Sequence, residues 1–444
     1  MSRISAPGTP EVNPKHGALT GGDPYRPGSG NGGYRVDSYD IDIDVRLATG
    51  RVEGLVVITA EATQTLSRFS LDLVGLVASK VSVNGTKASK FSQDAGKLVI
   101  RPSRPLADGA PFTVMVQYGG FPHAVGGPVG GGWTEVVTGA SGNGAAASTG
   151  VSVGGSPTGA STGASTWFPC DDRPEARAAF TLRCGCDTTA TVVASGTAAP
   201  VVTRNGRNRW VFTGPEPVPV GTIGLQIGRF DTLPPPERML VVLEPLLGPL
   251  PVSGVTAVVR DAELAPLFSH SLAVVSRTDA ADVGVLERLQ VRGLAFQWFG
   301  MSLTPATVAD SWLSSGFCRY VEWLWAEHKG GGATADELAR QYASALERQN
   351  GHHDFLVSDP GPSRITDDRV SGRGALALHA LRLAIGDVPF FSLLRSWVST
   401  HRSGTVSTDD FFAHTVRSCE IPVDGLLTSW LRSEPLPALP AAAR

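Results

Sequence analysis

Two neighbouring stretches, Val291-Arg-Gly-Leu-Ala-Phe-Gln-Trp-Phe-Gly300 and Asp310-Ser-Trp-Leu-Ser-Ser-Gly-Phe317, organise the reading of this 444-residue chain. Asp282 can cap a helix that runs through the first of them to about Phe299. A second helix is predicted over 310–327. Residues four apart on a helix share a face, so Arg292 and Phe296 project the same way. Ser315 and Glu322, seven apart, return to nearly one face of the second helix. Trp298, Phe299, Trp312 and Phe317 read as packing residues that hold these two helices together.

Composition narrows the class of protein around them. Apolar residues are 42% and charged residues 18% of the chain, the balance of a soluble globular protein, and the length suits two or three domains. A net charge of -3 argues against nucleic acid or an anionic membrane surface as partner. No run approaches the ~18 apolar residues of a membrane span, and Met1-Ser-Arg-Ile-Ser lacks the apolar core of a secretory signal. The five cysteines have no framework spacing, which suits a reducing compartment, so a cytoplasmic location is expected. Cys184-Gly-Cys186 sets two thiols on one strand face, but no second pair stands at metal-binding spacing. The basic residues are mostly arginine, a usage that fits a GC-rich bacterial genome and not a binding patch.

Residues 1–32, rich in Gly, Pro, Ser and Asn, read as a disordered tail. A β domain is expected over 33–233. In it Ile41, Ile43 and Val45 alternate with Asp40, Asp42 and Asp44, the pattern of a half-buried strand. Further strand-like runs continue to Thr213, with Asn84-Gly85 and Asn205-Gly206 as hairpin signals. Residues 119–165 are dominated by Gly, Ala, Ser and Thr and read as a flexible loop within that domain. Pro234-Pro-Pro236 marks a stiff linker, and a second domain is expected over 237–433. It starts with strands at 239–243 and 254–259. Helices follow at 282–299, 310–327, 334–349, 373–385 and 388–401, then from the Ser407 cap to Ser418, and last at 423–431. Residues 434–444 read as a short tail. The fold class is therefore α+β and multidomain, an antiparallel β-sandwich or saddle followed by a mainly helical domain with a small sheet.

Four motifs carry a family resemblance. Trp167-Phe-Pro-Cys-Asp-Asp-Arg-Pro174 resembles the motif that closes the active-site side of the β domain in aminopeptidase N-like zinc peptidases. Gln297-Trp-Phe-Gly300 resembles the end of that family's zinc helix, His-Glu-x-x-His-Gln-Trp-Phe-Gly. Trp312-Leu-Ser-Ser-Gly-Phe317 is similar to its Trp-Leu-Asn-Glu-Gly-Phe, and Tyr320-Val-Glu322 continues it. Val370-Ser-Gly-Arg-Gly-Ala375 is similar to the segment that carries its catalytic tyrosine. The matches run in order over about 33–433, so the chain is identified as a short, degenerate member of this gluzincin family. The resemblance implies that the second domain is thermolysin-like.

It also implies a zinc site whose residues this sequence replaces. Arg292 stands for the first histidine, and a guanidinium has no lone pair to offer a metal. Phe296 stands for the second histidine and Ser315 for the ligand glutamate, nineteen positions on. Gly293 replaces the general base, Phe268 the glutamate that grips the substrate amino terminus, and Ser371 the oxyanion-stabilising tyrosine. No His-Glu dipeptide occurs anywhere in the chain. The expectation is no cofactor, no metal ligand and no catalytic residue. The reading that follows is an inactive homologue, a pseudoenzyme, that binds a peptide or protein ligand or serves as a scaffold. Glu322 is expected to pair with Arg292 in the vacated site. The alternative is an enzyme with repurposed, metal-free hydrolytic chemistry, for which Cys318 and His270 are the nominees. An active zinc aminopeptidase ranks last. His352-His353-Asp354 reads as a solvated loop, His379 as a satisfied core histidine, and Asp171-Asp172 as a loop-capping pair.

Overall fold

In the computed structural model, which describes residues 15–126, 131–137, 148–153, 163–260, 265–348 and 355–441, the alternation at 40–45 is realised in the strand Tyr34–Arg46. Ile41, Ile43 and Val45 are buried on its inner face. On the outer face Asp40, Asp42 and Asp44 meet Arg183, Arg209 and Arg207 of neighbouring strands, Arg207 lying 2.8 Å from Asp44. These exposed pairs contribute roughly 0.2–1 kcal/mol each, so burial of the apolar face is what holds the strand. Tyr34–Arg46 pairs antiparallel with Arg51–Ala62 and parallel with Arg177–Asp187 at the centre of a nine-stranded sheet, counted among the described residues. A four-stranded sheet packs with it (Lys15–His16, Leu66–Asp72, Lys97–Arg101 and Lys90–Asp94). One continuous apolar core, from Tyr34 to Ile227, fills this domain.

A separate core, from Met239 to Leu431, fills the second domain. Its helices are α1 (Glu237–Leu247), α2 (Arg277–Ala281), α3 (Val283–Trp298), α4 (Trp312–His328) and α5 (Ala335–Arg348), then α6 (Asp368–Ile385), α7 (Asp387–Thr400), α8 (Thr408–Ser418) and α9 (Asp424–Leu431). Asp282 caps α3 by accepting from the backbone N–H groups of Gly284 and Val285 at 2.8 and 3.0 Å. Ser407 and Asp410 form a reciprocal capping box at the start of α8. Phe230–Thr232, Thr256–Arg260, Leu272–Ser276 and Leu267–Ser269 build a small sheet beside α3.

Several expectations need correction. Residues 239–243 are helix α1 and not strand: Met239, Leu243 and Leu247 lie four apart and are buried together, whereas Val241 of the β-branched pair faces solvent. Helix α6 begins at Asp368, five residues before Arg373, because the Asp367 carboxylate accepts from the Arg369 N–H and caps it there. Phe230–Thr232 belongs to the second domain's sheet, so the boundary precedes the proline linker. The 119–165 segment is not one loop: Thr134–Val137 and Ser148–Val153 are strands that join Leu225–Gly228 and Thr191–Ala194 in a four-stranded sheet. The most repetitive parts of that segment, 138–147 and 154–162, lie outside the described residues.

The reading of 1–32 as a disordered tail fails over 15–32. Asn31 is fully buried; its N–H donates to Asp171 and its amide to Asp72, at 3.0 and 2.7 Å. Arg26 pairs with Asp172 at 3.0 Å. The Asp171-Asp172 pair therefore anchors this segment to the β domain, a larger role than capping its own loop. Composition missed it because the contacts are made by backbone and polar side chains, without apolar periodicity. At the other end, Leu436 and Leu439 pack against the helical core, so the 434–444 tail is attached at least that far.

Candidate functional site

The site is built on α3, α4, α6 and the edge hairpin Leu267–Ser276. Gln297 of α3 ties the hairpin down: its amide donates to the carbonyls of Ser269 and Gly293 at 3.1 Å, and its carbonyl accepts from the Ser271 N–H at 3.0 Å. The motif at 297–300 gives Gln297 no role of its own. A buried amide that satisfies three backbone groups is its structural reason. Ser271 sits at φ 55, which makes this tight turn, and the turn aims Phe268 back at α3.

There Phe268 stacks on Phe296, with ring centroids 5.2 Å apart and planes 18° from parallel. Both rings are fully buried. Such a pair contributes about 0.5–1.5 kcal/mol beyond its area. Gly293 makes room for it, since a Cβ at 293 would come 3.0 Å from the Ala273 Cβ and 3.3 Å from the Phe268 ring. Gly293, without a Cβ, and the Phe268 ring thus share one volume.

One helical turn before Phe296, Arg292 Nε donates to Glu322 Oε1 at 2.5 Å. The two side chains are 24% and 9% exposed, so the pair is largely withdrawn from water. Burial pulls the Arg292 guanidinium down, and the Glu322 carboxylate more than offsets it, leaving Arg292 above its ordinary value. Ser315 is buried and donates its hydroxyl back to the Ser311 carbonyl at 3.1 Å. Ser371 lies in the first turn of α6, donates to the Asp368 carbonyl at 2.9 Å and accepts from Arg319 at 3.3 Å. Behind these groups Phe299 packs on Phe317 at 4.5 Å. Gly316 of α4 meets Gly374 of α6 backbone to backbone, a Cβ on Gly316 falling 3.0 Å from the Gly374 Cα.

Cys318 and His270 are not brought together. Cys318 is fully buried beside Arg292 and Glu322, its thiol pushed up by burial and donating weakly to the Phe299 carbonyl at 3.8 Å. His270 sits at the hairpin tip beside Arg177, and burial, then that cation, pulls its imidazole down to about 4. A thiol held protonated, without an adjacent base, does not make a nucleophile. His379 is held between Tyr320 and Asp336 at 3.2 and 3.1 Å, as a satisfied core histidine. His352, His353 and Asp354 lie outside the described residues.

Zinc is the metal the motifs imply, and the residues present do not fit it. The positions in question offer a guanidinium, a phenyl ring and a hydroxyl already bonded to backbone. Among the described residues no group of three or more His, Cys, Asp or Glu is arranged to hold a metal ion.

Comparison with known proteins places this frame. The peptidase M1 N-terminal domain matches residues 35–219, and the peptidase family M1 domain matches residues 272–430. A variant of the M1 zinc metallopeptidase from Deinococcus radiodurans superposes with a TM-score of 0.83 at 30% identity, over 94% of this chain and 99% of that one. Among curated proteins, probable aminopeptidase 2 of Sulfurisphaera tokodaii is 23% identical over 216 residues, 46% of this chain. Transcription initiation factor TFIID subunit 2 of Caenorhabditis elegans is 25% identical over 295 residues, 55% of this chain. The match spans only 26% of the length of either curated relative. With both domains matched in order and one solved relative covered almost end to end, the chain belongs to peptidase family M1.

Proposed function

We propose that this M1 homologue is catalytically inactive and acts as a peptide- or protein-binding or scaffolding protein. The observation that carries the reading is what stands at the positions of the expected ligands: Phe296 stacks on Phe268, Arg292 pairs with Glu322, and Ser315 bonds back to the Ser311 carbonyl. A metal would have to displace a buried aromatic pair and sit beside a permanent cation. A general base contributes ~10²–10⁴ and an oxyanion donor ~10²–10³ to rate; glycine and serine at 293 and 371 supply neither. Two relatives support the binding role. The Deinococcus enzyme has been solved with a Tyr-Ser-Ala substrate, and the Caenorhabditis protein is named as a subunit of an assembly.

Metal analysis of the purified protein, together with turnover of chromogenic amino-acid amides, tests this. The expected result is substoichiometric zinc and no turnover above a protein-free control, before and after zinc addition. Stoichiometric zinc with turnover overturns the reading. The metal-free hydrolase alternative has no observation in its favour, because its thiol is buried and lacks a base.

A further inference from the structure

A cavity of about 350 Å³ opens where the two domains meet, and Arg292, Phe296 and Ser315 are not among its lining residues. Arg177 and Glu216 reach it from the β domain, and His270, Ser302, Arg402 and Ser403 from the helical domain. Arg177 crosses the junction to hold it together: Nη1 donates to the Met301 carbonyl and the Thr304 hydroxyl at 2.8 and 2.5 Å, and Nη2 to the Pro217 carbonyl at 2.9 Å. All of these acceptors are neutral, and its Nε is buried without one. Burial alone pulls the guanidinium down to about 10, and no carboxylate among the described residues offsets it.

Three further groups face the same space. The His270 imidazole is largely buried and makes no hydrogen bond among the described residues. Its main chain is pinned at the cavity wall, the N–H donating to the Thr222 carbonyl at 3.1 Å. Arg402 stands exposed at the rim without an ion pair among the described residues, and Glu216 is the one carboxylate among the lining residues. Ser403, beside Arg402, is a non-glycine residue at φ 55, and its N–H donates to the Ser302 hydroxyl at 3.2 Å. Strain of this kind persists where surrounding structure enforces it, and here it lies at the cavity wall that Arg402 and Ser403 share.

We propose that this domain-junction cavity binds a small oxyanion, a carboxylate or a phosphate, between Arg402 and Arg177 with His270 as a ring N–H donor. Two guanidinium groups against one carboxylate make the cavity electropositive. A partly desolvated guanidinium forms its stronger hydrogen bonds with charged oxygens, which Arg177 lacks. A neutral imidazole keeps one N–H to donate, and a ligand would give it the partner it is missing. The proposal does not depend on whether the former zinc site is inactive.

The test titrates the purified full-length chain with inorganic phosphate and, separately, with acetate, following the ring protons of His270, assigned with a His270→Gln variant. A saturable shift is expected with at least one anion, and not with chloride at equal ionic strength. Which of the two saturates at lower concentration distinguishes phosphate from carboxylate. Arg402→Ala, at an exposed position, weakens binding by about tenfold or more. Glu216→Gln removes the competing charge and strengthens it. No saturable shift with either anion, the same response to chloride, or unchanged affinity in Arg402→Ala overturns the proposal. Zinc content and peptidase turnover do not enter these readouts, so failure here is distinguishable from failure of the inactive-homologue reading.

Discussion

Arg292 and Glu322 each become a liability when the other is removed. Glu322→Leu leaves a largely buried guanidinium without its carboxylate, and a loss of about 2–4 kcal/mol is expected. Arg292→Leu is expected to cost a similar amount, and the double variant less than the sum of the two. A double-mutant cycle from urea denaturation checks this, and strict additivity would show that the pair is not coupled. His270 sets a pH dependence. Its folded-state value of about 4 lies below the ordinary histidine value of 6.5, so its stabilising contribution is complete above about pH 6.5. That contribution is lost as pH falls toward 4, because the unfolded chain takes up the proton first. His270→Gln should flatten the fall in stability over that window by up to about 1.4 kcal/mol per pH unit, measured from urea midpoints between pH 7 and 4.5. At this scale the donor capacity of Arg292, Phe296 and Ser315 was legible, since it is a property of the residue. The stack of Phe268 on Phe296 was not, because a hairpin turn far along the chain brings the two rings together.

Helices α4 and α6 cross at Gly316 and Gly374, and that crossing carries Ser315, Glu322 and Ser371. A Cβ on Gly374 would lie 3.1 Å from the Gly316 Cα and 3.3 Å from the Trp312 ring. Gly374→Ala is therefore expected to destabilise by about 1–3 kcal/mol through overpacking. Gly425, in the first turn of α9, has open space around its Cβ direction and is predicted to behave oppositely. Gly425→Ala should stabilise by about 0.4–1 kcal/mol by restricting the unfolded chain. Thermal melts of the two variants test the difference in sign. Most helices could be read from caps and periodicity, Asp282 and Ser407 among them, because those signals are local. Helix α1 was misread because Val241-Val242 favours a strand locally, while burial of Met239, Leu243 and Leu247 against the helical core decides for helix. The strands at 134–137 and 148–153 were hidden for the converse reason: their sequence is weak, and they are stabilised by pairing, 148–153 with Leu225–Gly228 and 134–137 with 148–153.

Segment 15–33 joins the two cores. From its anchor on Asp72 and Asp171 it reaches the helical domain, where Asp23 accepts from the Val308 N–H at 2.8 Å. Tyr25 accepts from the Gly361 N–H at 2.7 Å, donates to Asp359, and packs against Val308 and Ile365. Removing Asp23 and Tyr25 together (Asp23→Ala with Tyr25→Ala) should uncouple the domains. Calorimetry is expected to show one unfolding transition in the parent chain and two in the variant; a single transition in both would mean that the remaining interface suffices. The sequence by itself determined the family, the two-domain order, and the donor chemistry of the side chains at 292, 296 and 315, because motif identity and side-chain chemistry reside in the residues. The Arg292–Glu322 pair was expected from helical spacing and is present; tertiary structure alone decided the stack of Phe268 on Phe296 and the clasp made by the chain's first described residues. Those outcomes depend on which distant side chains share a volume, and short-range sequence pattern does not encode that.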